Sequence, residues 1–407
     1  MTQQSFCQFP WTSLIVDLEK DLWRWCPKVP TRQGFAGYYP VSKDLDSVKE
    51  KFINGEKPPQ CTACWQPELM GFDSFRTLNR GNELGEYYQG LRFLDITLST
   101  TCNTTCATCG PSASSKWKEV YINDVDAPFR PKNLAVSKFD TSPGLRKLCD
   151  LIAENIETLE RINIGGGEPT DDIKFYQLLT HLSNLPVVRD KPLLRLVTNA
   201  NYRDPLVISA LNTLRSNGWR LNIVVSMDAA GPEQEFVRAG SDWNVFEKNI
   251  KQLIELGYCR NINVVVSPVN VGLLGSIPTW LEDNGFLDII KPKAIFPQHP
   301  FSITLLGGIA IYLMTGWKES HREHENWKGF IEIVNKSARK QRFLVPDALY
   351  LDKFARYVNW YTEKNNLTMP VEVKKMYYLI DLFKKQPKLF GKELPMASVD
   401  SDDVDPE

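Results

Sequence analysis

Between residues 92 and 296 the sequence changes repeatedly between two hydrophobic periods. Short runs rich in β-branched residues predict strands at Arg92–Ser99, Thr158–Ile164, Leu193–Thr198, Leu221–Asp228, Asn261–Pro268 and Ile289–Phe296. Apolar residues at three- and four-residue steps predict helices at Leu145–Asn155, Asp172–Leu182, Pro205–Ser216, Trp243–Leu256 and Leu273–Glu282. Strands that alternate with helices form parallel βα units, so we expect either an open doubly wound sheet or a partial barrel.

Polar and backbone-exposing residues follow the first four of these strands. In chain order they are Cys102, Cys106 and Cys109; Gly165–Pro169; Thr198 and Asn199; and Ser226 and Asp228. Parallel βα folds bind ligands at the edge where the strands have their carboxyl ends. The sequence therefore predicts a ligand site to which four strand ends contribute.

Composition excludes several classes of protein. The 407 residues include 48 Lys and Arg against 49 Asp and Glu, so no basic excess indicates nucleic acid or an anionic membrane as partner. The N-terminus lacks the basic and apolar regions of a signal peptide, and no run of about 18 apolar residues occurs. We therefore expect a cytoplasmic protein. Nine cysteines are too sparse for a disulfide scaffold, and their clustering favours metal binding or redox chemistry.

The densest cysteine cluster lies in LSTTCNTTCATCGP, residues 98–111. Three thiolates on one loop can converge on a metal cluster, and three ligands leave one iron of a 4Fe–4S cluster open. By itself the trio also fits half of a zinc site. GGGEP at Gly165–Pro169 is by itself either a turn or a backbone surface open to a small ligand. The conjunction of the two motifs favours the cluster with a ligand beside it.

Together the two motifs resemble those of the radical S-adenosylmethionine (SAM) enzymes. In that family a CxxxCxxC loop after the first barrel strand binds a 4Fe–4S cluster whose open iron chelates SAM, and a GGE motif holds the methionine amino group. The matching positions are Cys102, Cys106 and Cys109 for the first motif and Gly166, Gly167 and Glu168, behind Gly165, for the second. The resemblance implies an α/β fold with a partial (β/α)6 barrel.

The resemblance extends to the later strand ends. Similar proteins carry residues near the ribose and carboxylate of SAM at the positions that Ser226 and Arg238 occupy here. Thr198 and Asn199 stand in place of a cofactor-edge motif, although a Thr-Asn pair that ends a strand is also typical of a turn. Asp228 follows Ser226 at the same strand end. The resemblance therefore implies that these five residues contribute to cofactor binding.

Four more cysteines precede the predicted barrel: Cys7, Cys26, Cys61 and Cys64. They provide a complete ligand set for a second metal centre. The arrangement resembles the auxiliary modules called SPASM and twitch, placed here in front of the barrel, and implies a second 4Fe–4S cluster. The alternatives are a structural zinc site with the same ligands and a coincidental set of free thiols.

The expected organisation has four parts. An auxiliary cluster module spans 1–88, the radical SAM partial barrel 89–300, a helical C-terminal region 301–396 and a disordered acidic tail 397–407. Amphipathic patterns at Tyr312–Lys340 and Ala348–Phe383 predict the helices of the third part.

The resemblance implies an enzyme with radical chemistry of the oxidoreductase or transferase type. A donor such as flavodoxin or ferredoxin would supply the electron that cleaves SAM to methionine and a 5′-deoxyadenosyl radical, which abstracts hydrogen from a substrate. Relatives with auxiliary modules often modify peptides or proteins, and others act on small molecules or nucleosides. The alternative from another class is a zinc-stabilised binding protein that has lost the chemistry. No membrane partner is expected, and the near-zero net charge does not support nucleic acid.

Overall fold

The computed structural model describes residues 6–29, 43–78, 90–130, 142–186, 192–296, 317–339 and 348–385. It is a mixed α/β structure with a mostly parallel central sheet and a helical C-terminal region, which confirms the predicted fold class. The expected boundaries near 88 and 300, and the acidic tail, lie outside the described residues. The division into four parts therefore stays a proposal.

The strands form an eight-stranded sheet and a separate two-stranded ladder. In chain order they are β1 (Ser13–Asp17), β2 (Leu22–Arg24), β3 (Phe93–Thr97), β4 (Thr105–Cys106), β5 (Arg161–Gly165), β6 (Leu193–Thr198), β7 (Arg220–Ser226), β8 (Arg238–Ala239), β9 (Asn261–Val265) and β10 (Lys291–Ile295). The sheet order is β10-β9-β7-β6-β5-β3-β1-β2, and β4 pairs with β8. All six predicted strands are present and follow one another across the sheet, as a partial barrel requires.

Helices connect and cover the strands. They are α1 (Phe9–Thr12), α2 (Lys43–Ile53), α3 (Thr62–Leu69), α4 (Phe75–Leu78), α5 (Ser115–Asn123), α6 (Ser142–Glu154), α7 (Ile173–Ser183), α8 (Leu206–Ser216), α9 (Pro232–Val237), α10 (Trp243–Glu255), α11 (Ser276–Asp283), α12 (Glu319–Glu323), α13 (Glu325–Arg339), α14 (Ala348–Lys364) and α15 (Val371–Lys385), with short 3₁₀ helices at Pro59–Cys61 and Pro169–Asp171. No helix among the described residues is both long and apolar enough to cross a membrane.

The range Ala348–Phe383, which the sequence predicted to be helical, contains two helices. α14 and α15 are separated at Asn366, whose φ of 50° lies in the left-handed region, and Pro370 directly precedes α15. Proline fits the start of a helix because its missing N–H is not needed there.

The chain divides into two compact units. Unit 1 comprises Met1–Cys102, Val136–Val197 and Asp204–Asn222, and unit 2 comprises Asn103–Ala135, Thr198–Arg203 and Ile223–Glu407. In unit 1, β1 pairs in parallel with β3, and β3 with β5. The strand β1 comes from the N-terminal segment, and the sequence did not predict it. The N-terminal segment thus supplies a strand to the sheet of unit 1.

The strands of unit 1 alternate between a buried and a half-exposed face. Leu94 and Ile96 of β3, like Ile162 and Ile164 of β5, are fully or almost fully buried. Their neighbours along the strands are only partly buried. Side chains of one strand point alternately to opposite faces, so one face of this sheet forms core and the other stays accessible.

Unit 2 has its own core around parallel strands. β7 pairs with β9 and β9 with β10, all in parallel. Phe246, Ile250 and Leu253 of α10 are fully buried, spaced so that they share one side of the helix. The Asp242 carboxylate accepts hydrogen bonds from the backbone N–H groups of Asn244 and Val245, which caps the start of α10.

Candidate functional site

The loop after β3 packs backbone to backbone against the glycine run after β5, within unit 1. Gly167 N–H donates to the carbonyl oxygen of Ser99 at 2.9 Å, and Glu168 N–H donates to that of Thr101 at 2.6 Å. Thr101 directly precedes Cys102, which is partly exposed. The structure thus brings the glycine motif to the segment that leads into the cysteine motif.

The close approach of these segments explains two of the glycines. A Cβ at Gly167 would lie 2.1 Å from the carbonyl oxygen of Thr101, and a Cβ at Gly166 would lie 2.6 Å from that of Ser99. Gly166 also has a φ of 129°, which side-chain-bearing residues rarely adopt. Gly165 differs, because nothing lies within 4 Å of a Cβ placed there.

Carboxylates fix both segments from the side. The Glu168 side chain is buried and accepts hydrogen bonds from the hydroxyl of Thr170 at 2.7 Å and from its N–H at 3.2 Å. Glu19 follows β1 and accepts from both the N–H of Thr100 and its hydroxyl, the latter at 3.0 Å. Sequence reasoning missed Glu19, because nothing in the local pattern around it indicates a partner some 80 residues away.

The second half of the cysteine motif lies in unit 2, where it forms the ladder β4–β8. Cys106 stands opposite Arg238 in this antiparallel pair, and Thr105 stands opposite Ala239. Arg238 Nη1 lies 3.6 Å from Cys106 Sγ. Cys106 is buried, and Cys109 is partly exposed. Arg238, which the sequence assigned to the cofactor, is therefore placed directly beside a predicted cluster ligand.

The fully buried carboxylate of Asp228 forms an ion pair with Arg238. Its Oδ2 lies 2.9 Å from Arg238 Nε, and its Oδ1 accepts a hydrogen bond from Val265 N–H at 2.7 Å. Burial raises the pKa of Asp228, and the guanidinium of Arg238 opposes that shift. Because both groups are buried, the pair holds the guanidinium in place rather than serving as an exposed surface ion pair.

Side-chain amides tie the cysteine loop to the end of β6 in unit 2. Asn199 Nδ2 donates to Asn103 Oδ1 at 2.7 Å, and Asn103 Nδ2 donates to the carbonyl oxygen of Asn201 at 3.3 Å. Thr198 Oγ1 accepts from Ala200 N–H at 3.0 Å, which closes a local turn. The Thr-Asn pair therefore forms a turn, and this turn contacts the loop between Cys102 and Cys106.

Ser226 is half-buried at the end of β7, where it is in register with Asn263 of β9. The adjoining turn is organised by Gln234 of α9, which is fully buried. Gln234 Oε1 accepts from the N–H groups of Asp228 and Ala229, at 2.9 and 3.1 Å. Gln234 Nε2 donates to the Ser226 carbonyl oxygen at 3.3 Å. Sequence reasoning missed this glutamine.

Aromatic donors hold the backbone of the cysteine loop in unit 2. Tyr357 of α14 donates its hydroxyl proton to the carbonyl oxygen of Ala107 at 2.7 Å, and Trp117 Nε1 donates to that of Cys106 at 2.9 Å. Tyr361 donates to the carbonyl oxygen of Phe236 at 2.8 Å and accepts from Ala239 N–H at 3.2 Å. Burial raises the pKa values of both tyrosines well above the usual phenol range, so both keep their protons.

The stacked rings of Trp117 and Trp360 lie 5.8 Å apart and join α5 to α14. Asn365, just after α14, accepts a hydrogen bond from the hydroxyl of Thr105 at 2.7 Å. Together with the residue that follows it, helix α14 therefore contacts the cysteine loop at several points. Its sequence carries no motif, and only the tertiary structure reveals this role.

A recess in unit 1 is lined by all four cysteines of the N-terminal segment, Cys7, Cys26, Cys61 and Cys64. The aromatic rings of Phe9, Trp25 and Phe75 also line the recess. The backbone N–H of Lys28 donates to Cys26 Sγ at 3.4 Å. The structure thus brings together the thiols that the sequence grouped, although they are up to 57 residues apart.

A buried cation completes the wall of this recess. Arg76 lines it, donates to the carbonyl oxygen of Phe6 at 2.9 Å and is paired with Glu68. Its guanidinium carbon lies 4.7 Å from the ring centre of Trp65. Burial raises the pKa of Cys26 to about 11 and that of Cys61 to about 12, the latter opposed by Arg76. As free thiols these groups stay protonated near neutral pH.

No set of three or more His, Cys, Asp or Glu side chains in the described ranges is arranged to hold a single metal ion. The donor sets nevertheless fit iron–sulfur clusters by their chemistry. Thiolates are the usual ligands of such clusters, and hydrogen bonds to sulfur and nearby charge tune them. Cys149 and Cys259 lie outside both sets, and burial raises their pKa values to about 11 and about 12.

A comparison with protein-family models found no match to this sequence, and a comparison with curated proteins found none either. Solved structures that resemble the chain include anSMEcpe with bound AdoMet, at 16% identity and a TM-score of 0.39 over 55% of either chain. Native anSMEcpe with bound AdoMet and Cp18Cys peptide aligns at 16% identity and 0.37, over 55% of this chain and 57% of that one. Streptococcus suis SuiB bound to S-adenosylmethionine aligns at 16% and 0.32, over 65% and 56%. The chain spans little more than half the length of these neighbours.

Proposed function

We propose that this protein is a radical SAM enzyme whose catalytic cluster is held by Cys102, Cys106 and Cys109. The observation that carries the proposal is the backbone pairing between the loop leading into Cys102 and the Gly165–Glu168 run in unit 1. This pairing brings the glycine motif to the cysteine motif, although the two are far apart in the sequence. When bound, a cluster with three thiolate ligands would offer SAM an open iron and the electron that generates a 5′-deoxyadenosyl radical.

The residues of unit 1 position the ligands. The N–H groups of Gly167 and Glu168 fix the loop before Cys102, and Glu19 holds it from the other side through Thr100. A segment that these bonds already fix loses little conformational freedom when the neighbouring Cys102 binds a cluster. Within the glycine run, nothing lies within 4 Å of a Cβ placed at Gly165, which leaves room at that position for the amino group of SAM.

The residues of unit 2 supply charge and orientation. Arg238 places a cation 3.6 Å from Cys106 Sγ, which favours the thiolate form and offsets the negative charge of a thiolate-bound cluster. Asp228 orients Arg238, and through it would act on the cofactor. Asn199 and Thr198 set the turn at Asn103. Ser226 is the residue we assign to the SAM ribose or carboxylate.

We assign an auxiliary 4Fe–4S cluster to Cys7, Cys26, Cys61 and Cys64. Iron–sulfur clusters are usually held by Cys thiolates, and the recess brings four thiols together, the number that a fully ligated 4Fe–4S cluster requires. With four thiolates this cluster would have no open iron, so it would serve electron transfer or shape the substrate pocket.

The proposed substrate is a peptide or protein, because auxiliary modules of the kind resembled here often accompany peptide modification. A small molecule or nucleoside is the alternative. The proposed electron donor is a small protein such as flavodoxin or ferredoxin.

The test is anaerobic reconstitution with iron and sulfide, followed by metal and product analysis. The protein should bind about eight irons per chain, and the variant with Cys102, Cys106 and Cys109 replaced by alanine should bind about four. With SAM and dithionite, the unmodified protein should form 5′-deoxyadenosine and the triple variant should not. Cys149→Ala is the matched control, because it removes a thiol outside both sets and should change neither result. Protein that binds two zinc ions and neither iron nor sulfide would overturn the proposal.

A further inference from the structure

Three polar side chains form a row across the sheet of unit 1. Asp95 of β3 is in register with Asn163 of β5, and Asn163 is in register with Arg195 of β6. Register partners in a parallel sheet point to the same face, and neighbouring strands lie about 4.8 Å apart. All three residues are half-buried, on the face opposite the buried Leu94, Ile162 and Leu194. We call them the polar row.

A charged row is unusual in this position. Strands of parallel sheets are usually apolar on both faces because helices cover both. Here the three positions carry an acid, an amide and a base, although polar groups removed from water cost stability unless they are paired. Polar groups at three adjacent positions therefore indicate that a ligand or ordered water supplies their missing hydrogen bonds.

The bonding within the row is incomplete. Asn163 Nδ2 donates to the Asp95 carboxylate, which fixes the orientation of the amide. Asn163 Oδ1 is shielded from solvent, yet it accepts no hydrogen bond from the described part of the chain. Arg195 has no hydrogen bond or ion pair with any residue that the structure describes. Partial burial and the nearby Arg161 lower the pKa of Arg195, and the carboxylate of Asp95 acts in the opposite direction. An unused acceptor therefore stands beside an unused five-donor cation.

These two groups define the chemistry of a ligand. Asn163 Oδ1 requires an N–H donor, and the Arg195 guanidinium is matched best by a carboxylate, which it binds through two parallel hydrogen bonds. Strands β5 and β6 are adjacent, so the donor and the carboxylate must be close together on the ligand. An N–H group one carbon from a carboxylate meets this requirement, and it occurs in free α-amino acids and in the last residue of a peptide.

We propose that the polar row binds the α-carboxylate and α-nitrogen of the substrate, with Arg195 on the carboxylate and Asn163 on the N–H group. This deepens the proposed function and rests on it insofar as the ligand is the substrate of the radical reaction. The row lies on β3, β5 and β6, the strands whose carboxyl ends carry the cysteine loop, the glycine run and Thr198. Asp95 is a positioning residue, because it acts by orienting the Asn163 amide.

The test is equilibrium dialysis of the reconstituted full chain with radiolabelled N-acetylglycine, a minimal peptide carboxyl terminus. SAM is kept saturating, so that the amino acid part of the cofactor cannot account for binding. Unlabelled glycine, acetate and N-acetylglycinamide are the competitors. We expect acetate, which lacks the N–H group, and N-acetylglycinamide, which lacks the carboxylate, to compete poorly. Strong competition by glycine indicates a free amino acid as substrate, and weak competition indicates a peptide carboxyl terminus.

Variants assign the binding to the row. Arg195→Gln should weaken N-acetylglycine binding about tenfold or more, because a charge-assisted pair is lost. Arg195→Lys should restore part of it. Asn163→Leu should abolish the preference for N-acetylglycine over acetate. Arg215→Gln is the matched control, because Arg215 is exposed on α8 and should have no effect. Unchanged melting temperature and iron content show that each variant is folded.

Several outcomes would overturn the proposal: no binding of N-acetylglycine, equal binding of acetate, undiminished binding to a folded Arg195→Gln protein, or displacement of N-acetylglycine as SAM is added. Displacement of N-acetylglycine by SAM would assign the polar row to the cofactor. Failure to bind N-acetylglycine would mean that ordered water satisfies the row. The same preparations report iron content and SAM cleavage separately. Loss of those activities with intact ligand binding would refute the proposed function alone.

Discussion

At the residue scale, the glycine run has a second role that its sequence did not indicate. The sequence suggested that Gly166 and Gly167 keep the backbone open to a ligand. The structure shows that the space where a Cβ of Gly167 would lie is occupied by the backbone of Thr101, one residue before Cys102. The glycines are therefore required by the close approach of two chain segments, whether or not a ligand binds.

Gly167→Ala tests this conclusion. The added methyl group collides with backbone, which cannot move aside as a flexible side chain could, so the loop before Cys102 must shift. We expect the free energy of unfolding to fall by about 1–3 kcal/mol, as for other overpacked sites, and the iron held by the trio to be lost. Urea unfolding and iron analysis measure the two effects.

Gly165→Ala provides the control for this experiment, since a Cβ there meets nothing within 4 Å and the φ is not positive. It should leave stability and iron content nearly unchanged. Equal behaviour of the two variants would contradict a backbone-contact role for Gly167.

At the element scale, helix α14 supports the cysteine loop through hydrogen bonds. It lies some 250 residues after the cysteine loop, yet Tyr357, Tyr361 and the adjoining Asn365 bond to that loop and its ladder partner. Two of these side chains satisfy backbone groups that would otherwise be buried without partners. The helix thereby sets the conformation of Cys106 and its neighbours within unit 2.

Tyr357→Phe should reveal this support. The substitution leaves the Ala107 carbonyl oxygen buried without a donor, which typically costs about 1–3 kcal/mol. We expect a lower melting temperature and faster hydrogen exchange of the amides at 104–109, measured by mass spectrometry. Tyr378→Phe is the control, because Tyr378 of α15 is exposed and should tolerate the change. Exchange at 104–109 that matched the unmodified protein would show that the hydroxyl does not hold the loop.

At the scale of the whole molecule, the N-terminal segment is part of the sheet of unit 1 as well as the carrier of four cysteines. β1 runs parallel to β3 over five residue pairs, and Glu19 just beyond it bonds to Thr100. The recess and the loop before Cys102 therefore belong to the same compact unit. Loss of the recess should still leave that loop in place, because its bonds come from β1 and the glycine run.

The Cys61→Ala/Cys64→Ala variant separates the two proposed clusters. It should lose about four irons per chain and all product formation, because a fully ligated auxiliary cluster serves later electron transfer or substrate binding. It should still form 5′-deoxyadenosine with dithionite, since SAM cleavage depends on the other cluster. Chromatography of the reaction products measures both. Full turnover of substrate by this variant would show that the recess is purely structural. If the variant cannot cleave SAM although Cys102, Cys106 and Cys109 still hold their iron, electrons pass through the auxiliary cluster first and the proposed order of electron flow is wrong.

Local patterns in the sequence were sufficient for six of the strands and for the motifs, but they did not predict β1. Hydrophobic periodicity located all six strands of the parallel series, since side-chain alternation and helical spacing depend on near neighbours. The spacing of the cysteines and glycines indicated where unusual chemistry would lie. These features concern residues within about ten positions of one another, where the covalent chain itself limits the possible geometry.

The tertiary structure alone decided which distant residues meet. The place of β1 beside β3, the bonds of Tyr357 to the cysteine loop and the polar row all depend on strand order, register and helix docking. Many pairings bury similar apolar area, and the choice among them is made by the packing of the whole core and by the need to pair buried polar groups. The six strands of the parallel series and the motifs were therefore determined by the sequence locally, and the partners of Asn163, Arg238 and Gly167 only by the folded chain.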